Sequence, residues 1–142
     1  MIGNPVTILL VEDDKVDVMA IRRSFLRLKI ANPIIEAQDG IEALARLRGT
    51  DGYDPIDRPC LILLDLNMPR MGGLEFLAEL RSDPVLQRSI VFVLTTSRAE
   101  EDRLHAYDKN VSGYVLKYRP GETFLDAISM LESYWRVIEF PD

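Results

Sequence analysis

The sequence predicts an α/β fold of the doubly wound type, in which a five-stranded parallel sheet lies between two layers formed by five helices. Short apolar runs and amphipathic stretches alternate along the whole chain. Strict alternation of strands and helices is typical of right-handed crossovers that build a parallel sheet. The apolar runs are continuous, which indicates strands that are buried on both faces.

The predicted strands are short runs rich in aliphatic and β-branched residues. The first run reads V-T-I-L-L-V and the fourth reads I-V-F-V-L, and both combine high β-propensity with the length of an ordinary strand. In chain order, the predicted strands are Val6–Val11, Pro33–Ala37, Leu61–Leu64, Ile90–Leu94 and Gly113–Leu116.

The stretches between these runs have the three- and four-residue spacing of amphipathic helices. The residues that share an apolar face are Val18, Ile21, Phe25 and Leu28 in the first helix, and Ile41, Leu44 and Leu47 in the second. In chain order, the predicted helices are Asp14–Leu28, Gly40–Leu47, a helix containing Leu74–Leu80, a short helix near Glu100–Tyr107 and a last helix from about Glu122 to Ile138.

The composition indicates one soluble domain, expected to span residues 1–142 without an output domain. The chain has 142 residues, 47% of them apolar, and a net charge of −6. An acidic chain is a poor match for nucleic acid or for an anionic membrane. The lone Cys60 begins an apolar run and is expected to be a buried, inert thiol. Without a signal peptide or a bilayer-spanning run, we expect a cytoplasmic location.

One long polar loop, Gly49–Pro59, interrupts the alternation. It contains Asp51, Asp54 and Asp57, but their spacing does not match a calcium-binding EF-hand loop. We interpret this segment as an ordinary surface loop.

Polar residues follow four of the predicted strands, where ligands bind in open parallel sheets. They are Glu12, Asp13 and Asp14 after the first strand, Asp65 after the third, Thr95, Thr96 and Ser97 after the fourth, and Lys117 after the fifth. Each has a simpler interpretation: one of Asp13 and Asp14 is expected to cap a helix, and Lys117 could be a solvated surface lysine. Agreement at four strand ends favours a site.

The acidic residues predict a metal ion. If the first and third strands are neighbours, the carboxylates of Glu12, Asp13 and Asp65 converge, and three such groups cannot all stay ionised without a counter-charge. Mg²⁺ prefers oxygen ligands and suits a shallow site that a phosphate completes. Mn²⁺ is the alternative, and zinc is not expected because its usual His and Cys ligands are missing.

Four fragments resemble the receiver domain of bacterial response regulators, in the CheY-like superfamily. They are I-L-L-V-E-D-D (Ile8–Asp14), L-L-D-L-N-M-P-R-M-G-G (Leu63–Gly73), V-L-T-T-S (Val93–Ser97) and G-Y-V-L-K (Gly113–Lys117). The resemblance covers nearly the whole chain and implies the strand order 2-1-3-4-5. It also implies that the protein accepts a phosphoryl group from a histidine kinase, in a Mg²⁺-dependent reaction, and is not a turnover enzyme.

The resemblance assigns roles residue by residue. Asp65 matches the phosphoacceptor and Asp13 the direct metal ligand. Glu12 matches the acid that acts through a water, and Asn67 matches the position whose backbone carbonyl binds the metal.

Three further residues match positions that stabilise or report the phosphorylated state. Thr95 matches the hydroxyl that bonds to the phosphoryl group, and Lys117 matches the cation that pairs with it. Tyr114 matches the aromatic residue that turns inward on activation, although simple packing would also explain it. The signal would leave through this conformational switch, or by phosphotransfer to a histidine phosphotransferase.

Some positions depart from the family pattern. Tyr118 follows Lys117 where most members have proline, and Thr96 stands where many have alanine or glycine. Together with the long loop and the aromatic C-terminus, these features are similar to stand-alone regulators paired with bacterial and cyanobacterial phytochromes. The implied donor is then a phytochrome-type histidine kinase.

The last predicted helix carries more apolar residues than the sheet needs. They form the stripe Phe124, Ile128, Leu131, Trp135 and Ile138. We interpret the excess as a homodimer surface, the alternative being a tail that folds back on its own core. The only histidine, His105, is expected at the surface.

Two other functions compete with phosphate acceptance. A binding module of the same fold that works without phosphorylation is favoured by the missing proline after Lys117. A flavodoxin-type electron carrier is disfavoured because Glu12, Asp13 and Asp14 would repel a flavin phosphate.

Overall fold

A computed structural model describes residues 6–56, 60–66, 71–95, 110–116 and 128–133, with the backbone alone at positions 95 and 114–116. The strands are β1 (Thr7–Val11), β2 (Ile34–Ala37), β3 (Cys60–Asp65), β4 (Ile90–Thr95) and β5 (Gly113–Leu116). The helices are α1 (Lys15–Arg27), α2 (Gly40–Arg48) and α3 (Gly73–Ser82). Residues 128–133 are also helical and are called the C-terminal segment.

The strands form one sheet in the order β2-β1-β3-β4-β5, and each neighbouring pair is parallel. The predicted α/β class is therefore confirmed. The helix predicted near Glu100–Tyr107 and both ends of the last predicted helix lie outside the described residues, so the total of five helices stays a prediction. Within the described residues, no helix combines the length and the apolar character needed to cross a membrane.

Each face of the sheet is covered by its own apolar cluster, because successive side chains of a strand point to opposite faces. On one face, Leu9, Ile62 and Leu64 pack with the buried residues of α2 and α3. On the other face, Leu10 and Leu63 pack with α1 and with the C-terminal segment. The result is three layers with β3, which is buried along its full length, at the centre.

Side chains and backbone geometry at the helix ends explain where the helices begin and stop. The carboxylate of Asp14 accepts hydrogen bonds from the backbone N–H groups of Val16 at 2.8 Å and Asp17 at 3.4 Å, so of the two candidates Asp13 and Asp14 it is Asp14 that caps α1. Asp39 caps α2 by accepting from the N–H of Glu42 at 2.9 Å. Gly49 ends α2 in the left-handed conformation, with φ of 68°.

The apolar face predicted for α2 needs one correction. Leu44 and Leu47 are buried, but Ile41 is 41% exposed. Each three-residue step along a helix falls about 60° short of a full turn, so Ile41 lies about 120° around the axis from Leu47. Ile41 therefore lies at the rim of the buried face.

β2 forms one edge of the sheet and carries an exposed ion pair. The guanidinium group of Arg22 on α1 lies 2.6 Å from the carboxylate of Glu36 on β2. It also donates to the carbonyl oxygen of Ile34 at 3.4 Å. An exposed pair of this kind contributes little to stability, but it fixes a charged group beside the edge strand.

Arg81 connects the end of α3 to two later segments of the chain through three hydrogen bonds. Its guanidinium group donates to the carbonyl oxygens of Gln87 at 2.8 Å, Ser89 at 2.8 Å and Asn110 at 2.7 Å. The end of α3 is thereby tied to the start of β4 and to the segment that enters β5. Partial burial lowers the pKa of Arg81, but a guanidinium group stays charged at neutral pH.

We expect the substitution Arg81→Lys to lower the free energy of unfolding by about 2 kcal/mol, because a lysine cannot reach three carbonyls at once and leaves some of them unsatisfied. Urea denaturation followed by circular dichroism measures the effect. Arg88→Lys is the matched control, because Arg88 is exposed on the adjoining segment and should change stability by less than about 0.5 kcal/mol. Equal effects of the two substitutions would contradict the bracing role.

Candidate metal centre

An acidic cluster lies at the carboxyl ends of β1 and β3. The two strands are neighbours in register, with Val11 beside Leu64, so the residues that follow lie side by side. One carboxylate oxygen from each of Glu12, Asp13 and Asp65 lies within 4.8 Å of the others. The strand order thus brings together acidic residues separated by more than 50 positions in the sequence.

The three carboxylates differ in burial. Glu12 and Asp65 are only 3% and 5% exposed, whereas Asp13 is exposed. Two negative charges at roughly 4 to 5 Å repel by about 3 to 4 kcal/mol at an effective dielectric constant of about 20, and by less where a partner faces solvent. A cation at the cluster would offset this repulsion. Because Asp13 is exposed, the cluster is open to solvent on that side.

Glu12 is held by the backbone on two sides. Its N–H donates to the carbonyl oxygen of Ala37 at 2.9 Å, at the end of β2. One of its carboxylate oxygens accepts from the N–H of Asp14 at 3.2 Å. The carboxylate is therefore anchored to the first turn of α1 before any ligand binds.

Gly73 fixes the backbone next to Asp65. Its N–H donates to the carbonyl oxygen of Leu66 at 3.1 Å. A Cβ atom at position 73 would lie 2.7 Å from the Cα of Leu66 and 2.8 Å from the carbonyl oxygen of Asp65. Only glycine allows this approach, a role that sequence reasoning missed although the Gly-Gly pair belongs to the quoted fragment.

The remaining predicted site residues are only partly described. The backbone of Thr95 ends β4 one position beyond Leu94, which is paired with Asp65, so Thr95 lies at the same edge of the sheet. Tyr114 lies on β5 beside Val93. The side chains of Thr95 and Tyr114, and the whole of Asn67 and Lys117, lie outside the described residues, so their assignments stay predictions.

The donor set fits a hard divalent cation. Three carboxylates supply oxygen ligands of the kind that Mg²⁺ and Mn²⁺ prefer. The cluster includes neither histidine nor cysteine, the ligands typical of zinc. The buried Cys60 lies at the opposite end of β3 from Asp65.

Comparisons with known proteins agree with this geometry. Residues 8–129 match the family model described as the response regulator receiver domain. The chain is 39% identical over 131 residues to the response regulator Rcp1 of Synechocystis sp., an alignment that covers 92% of this chain and 89% of that protein.

Solved structures give the same result. A structure described as the phosphorylated cyanobacterial phytochrome response regulator RcpA is 37% identical, with a TM-score of 0.85 and coverage of 98% of this chain and 100% of that one. The Mn²⁺-bound form of Rcp1 is also 37% identical, with a TM-score of 0.83 and coverage of 97% and 100%. On the match over residues 8–129 and on these likenesses, the chain belongs to the response regulator receiver domain family.

Proposed function

We propose that this receiver domain accepts a phosphoryl group from a histidine kinase onto Asp65, in a Mg²⁺-dependent reaction. The observation that carries the proposal is the cluster of Glu12, Asp13 and Asp65 carboxylates within 4.8 Å of one another, in a chain of the receiver family. Membership of the family alone would not support a nucleophile beside a metal site in this chain, and the carboxylate cluster does.

The proposed metal site uses Asp13 and Asp65 as direct ligands, Glu12 through a water and the backbone carbonyl of Asn67. The acidic cluster supports Mg²⁺, and Mn²⁺ is the alternative because it was found in Rcp1. A bound dication would supply positive charge next to the phosphoryl oxygens, where negative charge must be tolerated during transfer.

The transfer itself is a substitution at phosphorus. A carboxylate oxygen of Asp65 attacks in line, the new O–P bond forms as the P–N bond to the kinase histidine breaks, and the histidine nitrogen keeps the electron pair. Lys117 pairs with the phosphoryl group, and Thr95 forms a hydrogen bond to it. Because this bond draws Thr95 toward the phosphoryl group, it makes room for Tyr114 to turn inward. Water later hydrolyses the acyl phosphate, so the protein acts as a switch and not as a turnover enzyme.

Likeness to RcpA and other phytochrome-associated regulators supports a phytochrome-type kinase as the donor. The state would be read by a downstream protein or passed to a histidine phosphotransferase. We further propose a single-domain cytoplasmic regulator that forms a homodimer through its last helix. Monomer masses in light scattering, both for the full chain and for a variant ending at Tyr134, would refute the dimer.

The alternative function is protein binding without phosphorylation in the same fold. The observation that favours it is Tyr118 directly after Lys117, in place of the usual proline. Partner binding that is unchanged by beryllofluoride would support this alternative.

The test of the proposed function is labelling by a small phosphodonor. Incubation with acetyl phosphate and Mg²⁺ should add the mass of one phosphoryl group to the intact chain, as measured by mass spectrometry. A chelator should prevent the labelling, because the carboxylates of the site would again repel the donor. Full labelling in the presence of the chelator, or none with Mg²⁺, would overturn the Mg²⁺-dependent mechanism.

A further inference from the structure

One short segment, Ala37–Gly40, is hydrogen-bonded both to Glu12 of the acidic cluster and to the connection that follows Asp65. At its start, the carbonyl oxygen of Ala37 accepts from the N–H of Glu12 at 2.9 Å. At its end, the N–H of Gly40 donates to the carbonyl oxygen of Met71 at 3.1 Å. Met71 lies in the connection that leads from Asp65 to α3. The segment therefore links Glu12 to Met71, two residues before α3 begins.

The contact between Gly40 and Met71 is tight as well as hydrogen-bonded. Gly40 is buried, and a Cβ atom there would lie 2.7 Å from Cγ and 2.8 Å from Sδ of Met71, and 3.0 Å from Cβ of Phe76. Met71 in turn packs against the apolar cluster that contains Phe76. Any side chain at position 40 would push Met71, since Phe76 is held in the core.

The backbone conformation of Gly40 does not require glycine. Its φ is not in the left-handed region, where glycine is favoured, and it begins the regular helix α2. Alanine has the higher intrinsic helix propensity. A side chain at position 40 would therefore disturb the close contact with Met71 and would leave the conformation of α2 unchanged.

We propose that Gly40 is a positioning residue for the acidic site, which holds the turn after β1, through Ala37, against the segment that follows Asp65, through Met71. The inference rests on the part of the proposed function in which the site binds a divalent cation. A ligand set divided between two chain segments binds a cation well only when the segments hold the right separation. Gly40 contributes this separation without contacting the metal.

The experiment measures Mn²⁺ affinity by the paramagnetic resonance signal of the free ion. Gly40→Ala should weaken binding by about tenfold, the lower end of the range for residues that orient metal ligands. The double variant Gly40→Ala/Met71→Ala should recover most of the lost affinity, because it removes the Cγ and Sδ atoms that the new methyl group meets. Recovery despite lost packing of Met71 would not follow from a merely structural role.

Gly52→Ala is the matched control for lost stability. Gly52 has a positive φ of 87° and nothing within 4 Å of an added Cβ. It lies in the connection that leads into the start of β3, whereas Asp65 lies at the end of that strand. The substitution should strain the loop and leave Mn²⁺ affinity unchanged.

A measurement on the unmodified chain keeps the inference testable if a variant fails to fold. Coupling between the metal and the Gly40 contact must be reciprocal, so saturating Mg²⁺ should slow hydrogen exchange of the Gly40 amide. The amide of Thr50, which donates to Ala45 at the far end of α2, should show no change.

The outcomes separate the two proposals. Wild-type chain that binds no Mn²⁺ refutes the proposed metal site, and the inference falls with it. Equal Mn²⁺ affinity of the wild-type chain and the Gly40→Ala variant refutes only the positioning role. Hydrogen exchange of the Gly40 amide that does not change with Mg²⁺ has the same consequence.

Discussion

Asp65→Asn is expected to reduce phosphoryl labelling by acetyl phosphate to the background level. The asparagine amide has nearly the shape of the aspartate carboxylate, but its oxygen is neutral and is a poor nucleophile toward phosphorus. Asp65 is buried at the end of the central strand, so the substitution should change the chemistry with little change in packing. Intact-mass spectrometry after treatment with the donor and Mg²⁺ gives the measurement.

Asp14→Asn is the matched control for this experiment. Asp14 lies next to the acidic cluster but caps α1, and asparagine caps a helix as well as aspartate does. The control should be labelled like the unmodified chain. If Asp65→Asn still takes up one phosphoryl group, peptide mapping will locate it on another residue and Asp65 will not be the acceptor.

Asp13→Asn is expected to weaken Mg²⁺ binding by about 10- to 100-fold. Loss of a residue that only orients a metal ligand has effects of this size, and loss of a direct ligand should cost no less. Isothermal titration calorimetry measures the affinity directly. Because Asp13 is exposed, the variant should fold normally, so that weaker binding can be attributed to the lost ligand.

The same substitution should remove the stabilisation of the fold by Mg²⁺. A ligand present at about 100 times its dissociation constant raises the free energy of unfolding by about 2.7 kcal/mol. Thermal denaturation with and without Mg²⁺ should show this increase for the unmodified chain and for Asp14→Asn, and much less of it for Asp13→Asn. Equal stabilisation of all three chains would exclude Asp13 as a ligand.

The local features of the fold could be predicted from the sequence because they depend on neighbouring residues. The end of β1, the start of α2 and both ends of β5 match the prediction, and the other described strands extend by a residue or start one later. The signals are strong: apolar runs for the strands and an Asp N-cap before α1. The end of the sheet at which the acidic site lies could also be predicted, because the carboxyl ends of parallel strands lie together.

Outside the acidic site, individual contacts between residues distant in the sequence could not be predicted. Arg81 and Asn110 are separated by 29 positions, and an arginine in the last turn of a helix carries no local mark of three carbonyl partners. Gly40 and Gly73 have ordinary roles at helix starts until Met71 and Leu66 are seen beside them. Ile41 was predicted on the buried face but lies at its rim, because triplet spacing drifts around the helix axis.

The ion pair beside β2 has a consequence for how this protein can associate. An unpaired edge strand is a template to which another chain can add, as in amyloid or in strand exchange. Here that edge has only four residues, and the Arg22 side chain donates to Ile34 and pairs with Glu36. An incoming strand at this edge would have to displace a fixed charge, so concentrated solutions should resist fibril formation through β2.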